Sequence, residues 1–429
     1  MKYVSYWHDS AASFANGQTG PVEGTFDVAV IGGGFTGLNA ARKLAREGVR
    51  VALLEAAQVG AGGSGRNGGH LNNGIAHGYA DAKVHLGAER AHRLYKAYDR
   101  SIDMIEDLIA DEGIACDFRR SGKLKLASKP SHVAAQRANF ELIHTEVDPD
   151  TRWLDRDALD PEIRSETFHG GMLYGKSAMM HMGRFVSGLA EAAYRHGARI
   201  WETAPVTART RAGSGWDITT PRGTLRAERV IVATGAYSGS VRGAPLAFFR
   251  RRIISVGSFI IATRPLTASE VAATLPGNRT YVTSLNIGNY FRLSPDNRLI
   301  FGGRARFSAV SDQQSDAKSG RILRSAMVAH FPQLKDVEID YCWGGLVGMT
   351  KDRFPRAGES EDVLYGMGYS GHGAQMSTLI GQALADMAMG RKDTNPLAGL
   401  DWPAIPLHSG KPWFLPLVGQ WFALKDRLS

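Results

Sequence analysis

The stretch FDVAVIGGGFTGLNAARKLAREGVRVALLE, residues 26–55, constrains this chain more than any other. Its opening run, with Val28, Val30 and Ile31, suits a strand buried on both faces of a parallel sheet. Gly32, Gly34 and Gly37 follow on the G-x-G-x-x-G spacing. The first glycine permits a tight turn, the second lets backbone approach a pyrophosphate, and the third packs a helix against the strand. Phe35 lies within the fingerprint, Thr36 to Glu47 reads as the helix with Leu38, Ala41, Leu44 and Ala45 on its apolar face, and Gly48 is its stop. Val49 to Leu54 reads as a second strand, ending in Glu55, whose carboxylate can accept hydrogen bonds from a ribose diol. A bare glycine fingerprint is weak evidence. With a strand before it, a helix after it and an acid about 20 residues on, a chance glycine-rich turn is a poor alternative. The unit predicts an adenine-dinucleotide site and leaves FAD and NAD both open.

At 429 residues the chain is long enough for a large core and two domains. Lys and Arg total 51 against 42 Asp and Glu, a net charge of +9 that favours anionic ligands such as a dinucleotide. No recognised nucleic-acid module concentrates the basic residues, so no nucleic-acid partner is expected. The cluster Arg250-Arg251-Arg252 reads as a solvated strand entrance. Cys116 and Cys342 lie far apart, in no metal-ligand spacing, which predicts no metal site and a reducing, cytoplasmic setting. No secretory signal and no membrane-spanning run is expected.

Residues 1–24 are polar with scattered aromatics (Tyr3, Tyr6, Trp7, Phe14) and no clear period, an expected extended arm whose aromatics anchor it or line a channel. After Glu55, the glycines around Ser64, Arg66 and Asn67, with Gly68 and Gly69, cannot form a helix interior. They form a loop at the carboxyl end of a strand, where ligands sit in such folds. Ala88 to Glu112 and Ser131 to Glu146 read as helices, and Lys123 to Leu126 as a strand. Arg229 to Thr234 is a buried strand ending at Thr234-Gly235. Strand patterns from Ile253 to Thr263, and from Tyr290 to Ser294 with Arg298 to Phe301 about Pro295-Asp296-Asn297, suit an antiparallel pocket floor. Tyr290 and Arg292 are expected to alternate there, with Tyr290 inward. Val363 to Gly390 places Gly371, His372, Gly373 and Gln375 where a glycine turn opens a helix, so that the positive end of its dipole meets a ligand.

Together these motifs, with RVIVATGAYS and WGGLVGMTKDRFPRAG, resemble the FAD-dependent amine and amino-acid oxidases of the D-amino-acid oxidase/glycine oxidase/sarcosine oxidase superfamily. The early SYW, the SGRNGG loop and the closing PWFLPLVGQWFALKDRL look most like its γ-glutamylputrescine oxidase branch. The resemblance spans nearly the whole chain. It implies an α/β (α+β overall) fold: a Rossmann-type, glutathione-reductase-like FAD domain from 25–87, 166–240 and 341–429. An antiparallel-sheet substrate domain from 88–165 and 241–340 is inserted in it. It implies FAD over NAD, with Gly32, Gly34 and Gly37 on the pyrophosphate, Glu55 on the ribose and Val206 contacting adenine. Ser64 to Gly69 would pass along the flavin edge with His70 toward substrate, Thr234 and Gly235 would lie near the dinucleotide, and Gly371 to Gln375 would face the pyrimidine end.

Three departures from the family pattern carry weight. The cysteine that tethers flavin in sarcosine oxidases falls at Gly345, so non-covalent FAD is expected. The lysine that assists oxygen reduction falls at Ile300, and the lysine that binds a substrate carboxylate falls at Gln375. The implied reaction is oxidation of a C–N bond to an imine, which water hydrolyses, with oxygen or another electron acceptor. The partner is a small-molecule amine, and His70 and Tyr290 are the candidate catalytic residues. The rivals are an FAD dehydrogenase serving a quinone or carrier, a non-catalytic flavin-binding protein, and an NAD-dependent dehydrogenase. Trp343 is either a flavin wall or a core residue, and the aromatic tail is expected to cover the protein's own core. Oligomeric state is left open.

Overall fold

Val28 and Val30 face one side of their strand, and Ala29 and Ile31 the other; all four are buried, which requires cover on both faces. In the computed structural model, which describes residues 1–76, 78–239, 247–308 and 317–428, that cover is present. Thr25–Ile31 pairs in parallel with Val51–Leu54 and with Gly223–Val232. Arg199–Trp201 and Val363–Met367 extend the parallel sheet on either side, and Arg356–Ser360 closes one edge antiparallel. Phe35–Arg46, Met182–Arg195 and Gly373–Ala388 cover the face of Val28 and Val30 with Leu38, Leu44, Phe185 and Ile380. The antiparallel ribbon Ala208–Ala212, Gly215–Thr220 covers the other through Trp216 and Ile218.

A second eight-stranded sheet runs Ile339–Met349, Ile254–Pro265, Arg298–Arg306, Tyr290–Leu293, Thr280–Thr283, Lys123–Leu126, Gly170–Tyr174, Arg152–Asp155. All its pairings are antiparallel except that of Thr280–Thr283 with Lys123–Leu126. On one face Leu124, Leu126, Tyr281, Phe291, Leu299 and Phe301 pack beneath Ala317–His330 through Leu323 and Met327. The opposite face, with Ile260, Ile300 and Trp343, joins the core that contains the first sheet's helices. This face is the floor of the site.

Here one expectation is corrected. Tyr290 and Arg292 do not point opposite ways, because residues two apart on a strand share a face. Phe291 between them enters the core under Ala317–His330, while Tyr290 packs on His70 and Arg292 sits against Gly69. Arg292 is also almost fully buried, with 1% of its surface exposed.

The ends of the chain differ from expectation as well. Within the first residues Tyr6–Asp9 forms a helical turn, and Trp7 is fully buried, so the arm is keyed into the body instead of lying extended over it. Tyr6 and Phe14 are anchors too, whereas Tyr3 is exposed. The tail forms the helix Leu415–Leu428, which turns Phe422 onto Phe307 and leaves Leu417, Trp421 and Leu424 exposed, with Trp413 outside before it. One side of a helix cannot bury residues spaced around its circumference, so only part of the aromatic content is covered. Arg252, expected in solvent, is half-buried, donating from Nε to the Trp402 carbonyl. Among the described residues no helix is long and apolar enough to cross a membrane, and no group of His, Cys, Asp and Glu is placed to hold a metal.

Candidate active site

The carboxyl ends of the parallel strands gather the glycine loops. At Gly37 the helix Phe35–Arg46 lies directly on the preceding turn: a Cβ there would stand 1.9 Å from the Gly32 carbonyl oxygen. The first-turn N–H groups of such a helix lack intrahelical acceptors and face the loop ends. Phe35 donates one of them to Ser64 Oγ at 2.9 Å, which ties the second glycine loop to the helix start. Glu55 accepts from the Gly33 N–H at 2.6 Å and from the Ala57 N–H at 2.9 Å. Burial, assisted by nearby Glu202, raises its carboxyl pKa, and the two N–H bonds oppose that shift. Thr234 and Gly235 follow the strand beside Gly32, where Ala233 N–H bonds to the Ile31 carbonyl at 2.8 Å. Val206 is half-buried between strands, packed on the cluster around Trp201.

The loop from Ser64 to Gly69 is held from several sides. Arg66 donates to the carbonyls of Ala61 at 2.7 Å and Gly344 at 3.0 Å, which fastens the loop to the floor sheet. Asn67 bridges Ser64 and Gly69, donating to the first at 2.8 Å and accepting from the second at 2.8 Å. Trp343, fully buried, donates to the Arg66 carbonyl at 3.0 Å, so it is a core residue that positions the loop. Gly345 faces Arg66 closely, with room of 3.1 Å between a Cβ built there and the Arg66 Cβ. The N-terminal arm supplies the rest. Ser5 Oγ donates to the Gly65 carbonyl at 2.6 Å, Trp7 Nε1 to Asn67 O at 2.7 Å, and His8 Nε2 lies 3.1 Å from Gly60 O. The sequence reading missed this clamp; its signal was a tryptophan between Tyr6 and His8, two residues after Ser5, in a segment without a period.

His70 and Tyr290 come together, their rings 5.5 Å apart and perpendicular. His70 Nδ1 lies 3.0 Å from the Gly68 carbonyl and Nε2 3.3 Å from that of Phe291. Burial, together with the Arg292 guanidinium, pulls its pKa down to about 3, so it is neutral at physiological pH. Tyr290 packs under Gly68, and its hydroxyl lies 3.4 Å from Ser258 Oγ. Arg292, not foreseen as part of this group, donates to the Met180 carbonyl at 3.0 Å and stands 5.1 Å from the Trp7 ring centroid. Burial lowers its pKa to about 9. It is a buried cation directly beneath Gly69.

At the other end, Gly371 adopts φ +94°, and His372 is the N-cap of Gly373–Ala388. Its ring packs edge-on to Tyr98 at 5.5 Å. Gln375 is buried and donates from Nε2 to the Asn72 carbonyl at 2.7 Å. Tyr369 and Thr36 share a hydroxyl hydrogen bond of 2.5 Å, which brings the starts of the two loop-capped helices together. Two helix N-termini therefore lie side by side, a concentration of positive dipole suited to an anionic dinucleotide. The close backbone approach at Gly37, the acid at the end of the second strand and the amide-rich loop at 64–69 fit FAD.

The family model described as DAO, FAD dependent oxidoreductase, matches residues 27–387. The chain is 33% identical to the probable oxidoreductase OrdL of Haemophilus influenzae over 376 residues, 85% of this chain and 83% of that protein. It is 30% identical to the gamma-glutamylputrescine oxidoreductase of Escherichia coli over 429 residues, 99% of this chain and 98% of the relative. Among solved structures, the glycine oxidase of Geobacillus kaustophilus superposes with a TM-score of 0.75 at 22% identity, covering 88% of this chain and 98% of its own, a likeness of fold. The chain belongs to the DAO family of FAD-dependent oxidoreductases, enzymes that act on amines and amino acids.

Proposed function

We propose that the protein oxidises an amine at a C–N bond, with a γ-glutamylated polyamine as substrate and oxygen as acceptor. The observation that carries this reading is the contact of the 64–69 loop with the His70–Tyr290 pair, beside which the start of Gly373–Ala388 is tied to the same segment by the Gln375–Asn72 hydrogen bond. The end-to-end similarity to the gamma-glutamylputrescine oxidoreductase of E. coli supports the substrate class. FAD, when bound, would supply the redox chemistry, as acceptor for a hydride from the carbon beside the amine nitrogen, and water would hydrolyse the resulting imine.

The chain's own residues hold and orient. Gly32, Gly34, Phe35, Thr36 and Gly37 present backbone to the pyrophosphate, Glu55 takes the ribose, Val206 borders the adenine, and Thr234 and Gly235 flank the dinucleotide. Ser64, Arg66, Asn67, Gly68, Gly69 and Gly345 line the ring's edge. Gly371, His372, Gly373 and Gln375 would hold its pyrimidine end, where a helix N-terminus would stabilise negative charge. His70, held neutral, shapes the substrate side and donates no proton at neutral pH. Tyr290 orients the amine, and desolvation over the floor favours the neutral amine that the reaction requires. Cofactor binding is non-covalent on this reading: Gly345 stands at the tethering position, and Cys342 is buried in the core on the other face of its strand. Cys116 and Cys342 are both buried and, among the described residues, no disulfide joins them, which supports a reducing, cytoplasmic setting.

A second reading, in which a quinone or carrier protein takes the electrons, is favoured by Ile300, an aliphatic residue fully buried in the floor. Turnover of γ-glutamylputrescine in air-saturated buffer separates the two. Hydrogen peroxide forming in step with aldehyde is the expected result. Reoxidation of the reduced enzyme by air far slower than turnover with a quinone gives the second reading.

A further inference from the structure

The floor continues past Tyr290, away from the cofactor loops. Tyr290 pairs across the sheet with Val282, Val282 with Lys125, Lys125 with Met172, and Met172 with Trp153. These residues share a face, because Leu124 and Leu126 on either side of Lys125 enter the core beneath Ala317–His330. Two strand spacings separate the Lys125 and Tyr290 backbones, about 9.5 Å. The far end of this face is roofed by the helix Pro130–Glu146, whose Phe140 and Arg137 lie on the Trp153 ring.

Two lysines stand on this strand, and they differ in what satisfies them. The Lys123 ammonium donates to the Asn73 carbonyl at 2.6 Å and lies 3.7 Å from the Tyr174 ring centroid, with Asp99 and Asp148 supplying negative charge. Lys125 is half-buried, and among the described residues no hydrogen bond or ion pair reaches its ammonium. Desolvation lowers its pKa, and it repels the neighbouring Lys123 ammonium. On the roofing helix, both side-chain amide atoms of Gln136 are buried and have no partner among the described residues. A desolvated cation without a counter-charge is costly to the free protein, and an anionic ligand removes that cost.

We propose that Lys125 is the anion anchor of the substrate site, taking a carboxylate several bonds removed from the carbon that is oxidised beside His70 and Tyr290. The proposal rests on the amine-oxidation reading and narrows it to amines with a distal acid, the class to which γ-glutamylputrescine belongs. In an α-amino acid the carboxylate adjoins the reacting carbon. A fully extended lysine side chain spans about 6 Å, too short to reach a carboxylate poised over Tyr290. An elongated substrate closes that gap.

The test uses the holoenzyme and a series of ω-amino acids with one to seven methylenes, each beside its primary amide, with Lys125→Gln and Lys125→Arg as variants. The wild type is expected to favour acids of four or more methylenes over their amides by about 30-fold in kcat/KM, expressed in KM. Lys125→Gln should bring acid and amide to parity by slowing the acids alone, and Lys125→Arg should keep most of the preference. Hexanoate, which has no amine to oxidise, should perturb the flavin spectrum with a dissociation constant raised about tenfold in Lys125→Gln. Equal use of acids and amides by the wild type, or an equal loss for both in Lys125→Gln with FAD content intact, would overturn the proposal. If no amine in either series reduced the flavin, the amine reading would fail, while hexanoate binding would still decide the anion site.

Discussion

Glu55 shows how much one side chain settles. Its two oxygens are each matched to a backbone N–H, Gly33 on one side and Ala57 on the other. Glu55→Gln puts an NH2 group against one of those donors and removes a charge-assisted bond worth about 1.5–3 kcal/mol. FAD affinity is expected to fall about 10- to 100-fold, measured by flavin fluorescence on dilution. His70 makes a prediction about pH. Its folded pKa of about 3 lies below the unfolded value near 6.5, so the unfolded chain binds a proton that the folded chain refuses. Stability contributed by the neutral imidazole is therefore present above the unfolded pKa and lost as pH falls toward 3. His181 and His330, both held near 4 by burial, act in the same direction. Urea denaturation at pH 7 and pH 5 should show a loss that His70→Gln reduces by about 1 kcal/mol. An unchanged loss would mean that His70 titrates alike in the folded and unfolded chains, which contradicts its burial as a neutral ring. Glu55 was legible because a motif fixes its place after a strand. Arg292 was not: the strand pattern places it on the same face as Tyr290, but nothing local announces a cation buried under Gly69.

Among the elements, the N-terminal arm carries the least sequence signal and a large positional effect. It has no period because its contacts are side chains reaching loop carbonyls some sixty residues away, Ser5 to Gly65 and Trp7 to Asn67. Periodicity reports a face packed on a neighbour, and hydrogen bonds to irregular backbone leave no such trace. Trp7→Ala deletes a fully buried indole and leaves the Asn67 carbonyl without its donor, at a cost of about 3–5 kcal/mol. A fall in Tm together with weakened FAD retention is expected, whereas a fall in Tm with undiminished affinity would make the arm an anchor only. The helix Ala88–Glu112, by contrast, was legible to the residue, because Leu94, Tyr98, Ile102, Ile105 and Leu108 repeat on one buried side. The long floor strands were legible as strands, but their order was not. Pairing such as Thr280–Thr283 with Lys123–Leu126 joins segments more than 150 residues apart, which no local pattern encodes.

For the molecule as a whole, function is decided where the two sheets meet. The parallel sheet brings the glycine loops and two helix starts to one end, and the floor sheet brings Tyr290 and Ile300 beneath them, with Lys125 two strands further out. The cofactor half of this arrangement was readable from glycine spacing because backbone approach to a dinucleotide permits few residues. The substrate half was readable only in outline, since its residues come from separate strands and converge through register. Anaerobic titration of the holoenzyme with γ-glutamylputrescine, followed by putrescine, sarcosine and glycine, tests the reading most directly. Bleaching of the oxidised flavin band by γ-glutamylputrescine, complete near one equivalent and faster than with the other three, is the predicted result. A spectrum left unchanged by every amine would contradict it and leave a protein that binds flavin without using it.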